Sequence, residues 1–196
     1  MSALPSQSRY IIGTEACERF SFYGMKSILM LYMTGHLLMS DNWATSTLHI
    51  FVGMVYLLPL AGAWLADKVW GRYKTILYIS LLYCVGHGVL ATADLFHTIE
   101  ARRYILMAGL FIIALGAGGI KPCVSAFMGD QIPNKSPQLM TKAFNAFYWA
   151  INLGSFFSFL VIPAMEQRYG YSWAFAVPGL FLSLIHISEP TRRTPI

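Results

Sequence analysis

Charge is what this sequence has least of. Of 196 residues, 14 are Lys or Arg and 9 are Asp or Glu, 12% in all, where a soluble domain carries about a quarter. That shortage excludes an ordinary water-soluble globule. With hydrophobic residues at 56% and aromatics at 15%, it makes lipid the expected solvent. Cysteine is scarce too. Cys17, Cys84 and Cys123 sit in apolar stretches with no framework spacing, so they read as free buried thiols. No Lys/Arg run with interleaved aromatics occurs, so the net charge of +5 is no sign of nucleic acid. Also missing are a nucleophile–base pair, a metal-ligand cluster and a phosphate loop. Gly116, Gly118 and Gly119 fall mid-segment rather than after a strand, and neither an enzyme nor a metal site is expected. The first apolar segment is too long and too charged for a cleavable signal peptide.

What is present is a series of apolar segments, each near the roughly 20 residues a membrane span needs. They cover about 11–38, 44–66, 75–96, 104–128 and 143–164, and a sixth begins near Tyr171. Residues 129–141 read as a loop with room for a short surface helix. The expected fold class is an all-α membrane protein. Basic residues near span ends set orientation. With the N-terminus inside, Arg9, Lys68, Arg72, Lys74, Lys135 and Lys142 fall on the cytoplasmic face, against Arg102, Arg103 and Arg168 opposite. The expectation is a multi-pass protein of the plasma (inner) membrane with its N-terminus in the cytoplasm.

Four ionisable residues interrupt the first span: Glu15, Glu18, Arg19 and Lys26. Each costs a few kcal/mol at membrane depth, of the order of 3 on insertion scales, so such groups persist where they face partners or a wet cavity. Mixed signs in one helix point to a paired network along a polar pathway, as in a transporter. Lys121 occupies the fourth span beside Gly116, Gly118, Gly119 and Pro122, which are expected to break that helix. If the spans form two groups of three, the first and fourth correspond, and interrupted helices at matching repeat positions point to a central site between them. Three-plus-three inverted repeats are the half-unit of the major facilitator fold.

Four motifs then carry a family resemblance. Glu15-Ala-Cys-Glu18-Arg19-Phe20-Ser-Phe22-Tyr23 resembles the ExxERFxYY motif of the proton-dependent oligopeptide transporters of the major facilitator superfamily. Gly62-Ala-Trp-Leu-Ala-Asp67-Lys-Val-Trp-Gly71-Arg72 is similar to the family signature between its second and third helices. Gly118-Gly119-Ile-Lys121-Pro122 resembles its fourth helix, and Phe147-Tyr148-Trp-Ala-Ile-Asn152-Leu-Gly154-Ser155 its fifth. Phe22 departs from the pattern: it replaces the first tyrosine of the YY pair, removing one hydroxyl near the substrate and leaving Tyr23.

The resemblance implies roles. Glu15, Glu18 and Arg19 are similar to the proton-coupling cluster and Lys121 to its ion-pair partner; the alternative is a fixed ion pair that only supports packing. Lys26, on the same helix face as Arg19, matches a position that binds the peptide carboxylate, or else it snorkels to an interface. Tyr23, Tyr32, Tyr56 and Asn152 match pocket-lining positions, with ordinary packing as the alternative for each tyrosine. Lys121 also counts among the substrate-binding residues. His49 resembles a second-helix histidine tied to proton handling, or is a helix contact; His36 and His87 have no motif support. Gly62, Asp67, Gly71 and Arg72 form the loop motif, with Asp67 and Arg72 in a gating charge network or Asp67 a solvated loop charge.

The implied function is a proton-coupled symporter importing di- and tripeptides. It would need no cofactor beyond the proton gradient, and its partners would be small peptides, protons and the bilayer, with no nucleic acid. The alternatives are a nitrate or other small-anion proton symporter of the related branch, or a non-transporting membrane scaffold or sensor. The family has two six-helix halves, so residues 1–181 are expected to be the N-terminal half, truncated in its sixth helix. The missing C-terminal six-helix half would be a partner, and the chain alone would be inactive. Residues 182–192 read LSLIHISEPTR, which resembles the conceptual translation of a transposase-based sequencing adapter. Residues 182–196 are accordingly expected to be a non-native tail.

Overall fold

A computed structural model describes residues 4–132 and 136–188, with the side chains of these apart from 6, 7, 73, 119, 121, 122 and 184–188. The described residues form six α-helices: α1 (Ser6–Leu31), α2 (Asp41–Leu65), α3 (Arg72–Ala91), α4 (Ile99–Asp130), α5 (Pro137–Tyr169) and α6 (Tyr171–Ser188). Local chemistry sets most of the boundaries. Ser40 Oγ accepts from the Trp43 N–H and Thr98 Oγ1 from the Ala101 N–H, capping α2 and α4 with Asp41 and Glu100 in their first turns. Pro137 opens α5, where its fixed φ and missing N–H cost nothing. Gly71 at φ 77° begins α3, in a backbone conformation that strains any side chain.

The structure differs from the expected spans in three places. The first span ends in a π-turn, Tyr32–His36. α5 starts at Pro137 rather than near 143, which leaves no separate surface helix among the described residues of 129–141. And α4 is unbroken from Ile99 to Asp130. Its glycines serve packing instead. A Cβ on Gly116 would lie 2.6 Å from Tyr83 Cβ, and one on Gly118 would lie 2.5 Å from Leu58 Cβ and 3.0 Å from the Leu58 carbonyl carbon. They let α3 and α2 close onto α4, which needs small residues and not a broken helix. α6 runs to Ser188 and buries Leu182. Residues 189–196 lie outside the described residues.

The helices pack as an arc in the order α2, α4, α3, α6, α1, α5, with α5 also touching α6. α1 meets α4 and α2 only sparingly. The core runs along the arc through Met25, Ile28, Leu29, Tyr83, Leu106, Ile113 and Phe175. At the ends, α2 exposes Tyr56, Leu57, Leu60 and Trp64, and α5 exposes Tyr148, Trp149, Phe156 and Leu160. The segments 41–70, 74–95, 99–130 and 137–169 are long and apolar enough to cross a membrane. The fold is all-α and of the major facilitator type.

Candidate functional site

The site starts from spacing on α1. Glu15 and Arg19, four residues apart, share a helix face, as do Glu15 and Glu18, three apart; Glu18, the chain neighbour of Arg19, also reaches its guanidinium. Arg19 Nε donates to Glu15 Oε1 at 2.7 Å and lies 2.8 Å from Glu18 Oε2. The residues are 3%, 0% and 8% exposed. Water cannot take Arg19's place at such burial, so the guanidinium is what makes two neighbouring carboxylates tolerable there. Glu15 accepts the Nε–H hydrogen bond, and Glu18 pairs with the same guanidinium.

α1 is seated by α5 and α6. A Cβ on Gly154 would lie 2.2 Å from the Ala16 carbonyl oxygen, so only glycine permits α5 to approach beside the cluster. Ser21 Oγ donates to the Pro178 carbonyl of α6 at 2.7 Å. On the α3 side, buried Tyr83 interacts electrostatically with Glu18, Arg19 and Glu15. Nothing in the apolar sequence around Tyr83 marks it, because its nearness to the cluster arises between helices far apart along the chain.

The other expected site residues fall in different settings. Lys121 belongs to α4 by its backbone, and its side chain lies outside the described residues. Lys26 is half-buried on α1, and no ion pair holds it among the described residues. Tyr23 is half-buried, with ring contacts to Phe22 at 5.5 Å and Phe159 at 6.1 Å. His49 and Tyr56, seven residues apart on α2, are both exposed. Asn152 is exposed on α5 and donates to the Tyr148 carbonyl at 2.8 Å. These positions leave polar groups on open faces of α1, α2 and α5.

Two residues depart from that set. Tyr32 is fully buried in the π-turn, with its ring against Tyr171 and Phe175 and its hydroxyl donating to Asp94 at 3.4 Å. It faces α6 rather than an open surface, because the π-turn rotates the end of the first span inward. Phe22 is also buried and stacks on Phe51 of α2 at 6.1 Å. Its missing hydroxyl is thus absent from an apolar helix contact, not from the open face that carries Tyr23.

In the loop motif, Gly62 is buried on α2, and exposed Asp67 lies in the π-turn Ala66–Trp70. Arg72 does not take Asp67 as its hydrogen-bond partner. Its Nη1 donates to Asp130 Oδ2 at the end of α4, with Asp67 a more distant influence. The bond and charge of Asp130 raise the Arg72 guanidinium above its usual value. By sequence Asp130 falls in the 129–141 loop, and the 58 positions that separate it from Arg72 conceal the pairing.

Known proteins resemble this chain in sequence and in fold. "Peptide transporter 3" of Caenorhabditis elegans is 40% identical over 192 residues, covering 94% of this chain and 27% of that protein. Human "Solute carrier family 15 member 2" is 40% identical over 189 residues, covering 92% and 26%. The chain therefore spans about a quarter of the length of these curated relatives. The crystal structure of the POT family transporter PepTSo superposes with a TM-score of 0.85 at 44% identity, covering 95% of this chain and 37% of that one. A solved proton dependent oligopeptide (POT) family transporter gives 0.79 at 43% identity, covering 91% and 39%. The family model described as PTR2, POT family, matches residues 73–187. With its buried ion cluster on α1 and its apolar helices, the chain is an integral membrane protein that belongs to the POT family.

Proposed function

We propose that the chain is the N-terminal, proton-coupling half of a symporter that imports di- and tripeptides with protons, needing no cofactor beyond the proton gradient. The observation that carries this is Arg19 held between two buried carboxylates, at 2.7 and 2.8 Å. Counted as ionised, Glu15, Glu18 and Arg19 sum to one negative charge, and Lys121 on α4 would neutralise it. A proton arriving on a carboxylate leaves the set with one surplus positive charge, which the carboxylate of an incoming peptide cancels. The proton and the peptide carboxylate thus cancel within this half, and their arrival loosens the tie between α1 and α4. Lys26 supplies a further cation for the peptide carboxylate, and Tyr23, Tyr56 and Asn152 line its path. His49 assists proton handling. The exposed faces of α2 and α5 meet a second six-helix half, whose acidic residue reads the peptide's amino group. Peptide transport in the named relatives supports the substrate class, and the basic loop residues support a cytoplasmic N-terminus in the plasma membrane.

The test uses the full-length carrier in proteoliposomes. Glu15→Gln, Glu18→Gln and Lys121→Ala should abolish uptake driven by a pH gradient. The two Glu→Gln variants should retain some exchange of labelled for unlabelled peptide, which moves no net proton. Lys26→Ala should weaken binding, with a larger loss for free than for carboxyl-amidated peptides. If all four variants lose binding, exchange and driven uptake together, the cluster is only a structural ion network.

A further inference from the structure

A second polar cluster lies outside the α1 carboxylate site, where the first span ends. His36 Nε2, in the π-turn, is 3.0 Å from Asp94 Oδ1 of the α3–α4 linker and 3.2 Å from Arg102 Nη1 at the start of α4. The two contacts compete for one atom. Toward Asp94, Nε2 must carry a proton and donate; toward Arg102, it must be bare and accept. Both cannot hold at once, so the proton on Nε2 decides which helix connection the end of α1 keeps. Histidine is the side chain that gains and loses this proton near neutral pH, and His36, Asp94 and Arg102 side chains are 35%, 26% and 24% exposed, within reach of water.

The surroundings bias both states from every packed element. Tyr32 from the π-turn donates to Asp94 Oδ1 at 3.4 Å, and Ser172 from α6 donates to Asp94 Oδ2 at 3.1 Å. Asp94 therefore stays seated whichever partner His36 takes. The Tyr32 and Tyr171 rings lie 5.2 and 5.1 Å from the His36 ring and fix its plane, and Glu166 of α5 interacts in turn with Tyr171. Arg102 Nε donates to the Phe96 carbonyl at 2.7 Å, so Arg102 also keeps an anchor when His36 lets go. Next along the chain, Arg103 donates to the carbonyls of Leu37 and Leu38, and Leu38 sits at φ 51°. A left-handed leucine costs roughly 1–2 kcal/mol and persists because Arg103 grips both carbonyls. The end of α1 is thus held by one permanent clamp and one that depends on a proton.

We propose that His36, Asp94 and Arg102 form a second proton-binding site, on the face opposite the loop motif, that switches the end of α1 between α4 and the α3–α4 linker. With Nε2 bare, Arg102 ties α1 to α4. With Nε2 protonated, that tie moves to Asp94, itself 3.9 Å from Arg102, and Arg103 alone keeps its direct hold on the end of the first span, whose helix also carries Glu15, Glu18 and Arg19.

The test is ¹⁵N NMR of the chain labelled at histidine in lipid nanodiscs, with the His36 signals assigned by their loss in His36→Gln. At pH 8 the His36 Nε2 should resonate as a bare acceptor, and at pH 5 as a protonated nitrogen. In Arg102→Gln the proton should sit on Nε2 already at pH 8. A protonated Nε2 at pH 8 in the unaltered chain, or no change in Arg102→Gln, overturns the site. The coupling to α1 is read in the full-length carrier with His36→Gln, whose amide can donate to Asp94 and accept from Arg102 together. Its peptide exchange rate should change less between pH 5 and pH 8 than that of the unaltered carrier; an unchanged profile refutes the switch. The nitrogen shifts need no transport, so the site can stand or fall apart from the proposed symport.

Discussion

Replacing Arg19 with methionine tests whether the α1 cluster is one electrostatic unit. Methionine keeps much of the side-chain volume and removes the charge that lies 2.7 Å from Glu15 and 2.8 Å from Glu18. Glu15 is 3% exposed and Glu18 is 0% exposed, so water cannot stand in. Removing one partner of a buried ion pair costs about 3–5 kcal/mol, and Arg19 serves two partners, so the upper end applies. The decisive quantity is the coupling. In a Glu15→Gln background the same Arg19→Met change takes the cation from one carboxylate instead of two, and its cost should fall by at least about 1 kcal/mol, within the range for residues sharing a network. The assay is unfolding of the chain in mixed micelles by SDS, followed by the fluorescence of its five tryptophans. Costs that add to within about 0.5 kcal/mol would mean that Glu15 and Arg19 act independently, and the reasoning from burial to a coupled proton site would fail.

Other perturbations reach different parts of the structure. Gly154→Val places its Cβ 2.2 Å from a backbone oxygen that cannot rotate away; it should cost about 1–3 kcal/mol in the same unfolding assay, and an effect below 0.5 kcal/mol would place α1 and α5 farther apart than found here. Arg72→Gln should cost under about 1 kcal/mol, since its pair with Asp130 is 40% and 47% exposed, and the loss should vanish in about 1 M salt. Because Asp130 raises the Arg72 value, that contribution is complete below the ordinary arginine range and is lost only in strong base, so stability between pH 5 and 9 should show no step from this pair. Phe22→Tyr buries a hydroxyl in the contact with Phe51 and should destabilise by about 1–3 kcal/mol; a stabilised variant would mean that a polar partner waits there. The chain alone in proteoliposomes should accumulate no labelled dipeptide above empty vesicles, and robust uptake would mean that copies pair to replace the proposed second half.

The sequence by itself determined the solvent, the helices and the ion cluster on α1. Low charge and 20-residue apolar runs leave only helices in lipid, since a span must satisfy its own backbone, and the spacing 15, 18, 19 puts two acids and a base on one face because helix geometry is local. Only the tertiary structure decided which helices those faces meet. The glycines of the fourth span were legible as glycines, but whether they break a helix or admit a neighbour depends on Tyr83 and Leu58 arriving from elsewhere. Asp130 beside Arg72, and Asp94 between His36 and Arg102, join residues 58 or more positions apart or set across a turn. No periodicity carries that information. Such contacts depend on how the helices cross, and the crossing is fixed by the summed packing of whole faces, which a linear pattern does not contain.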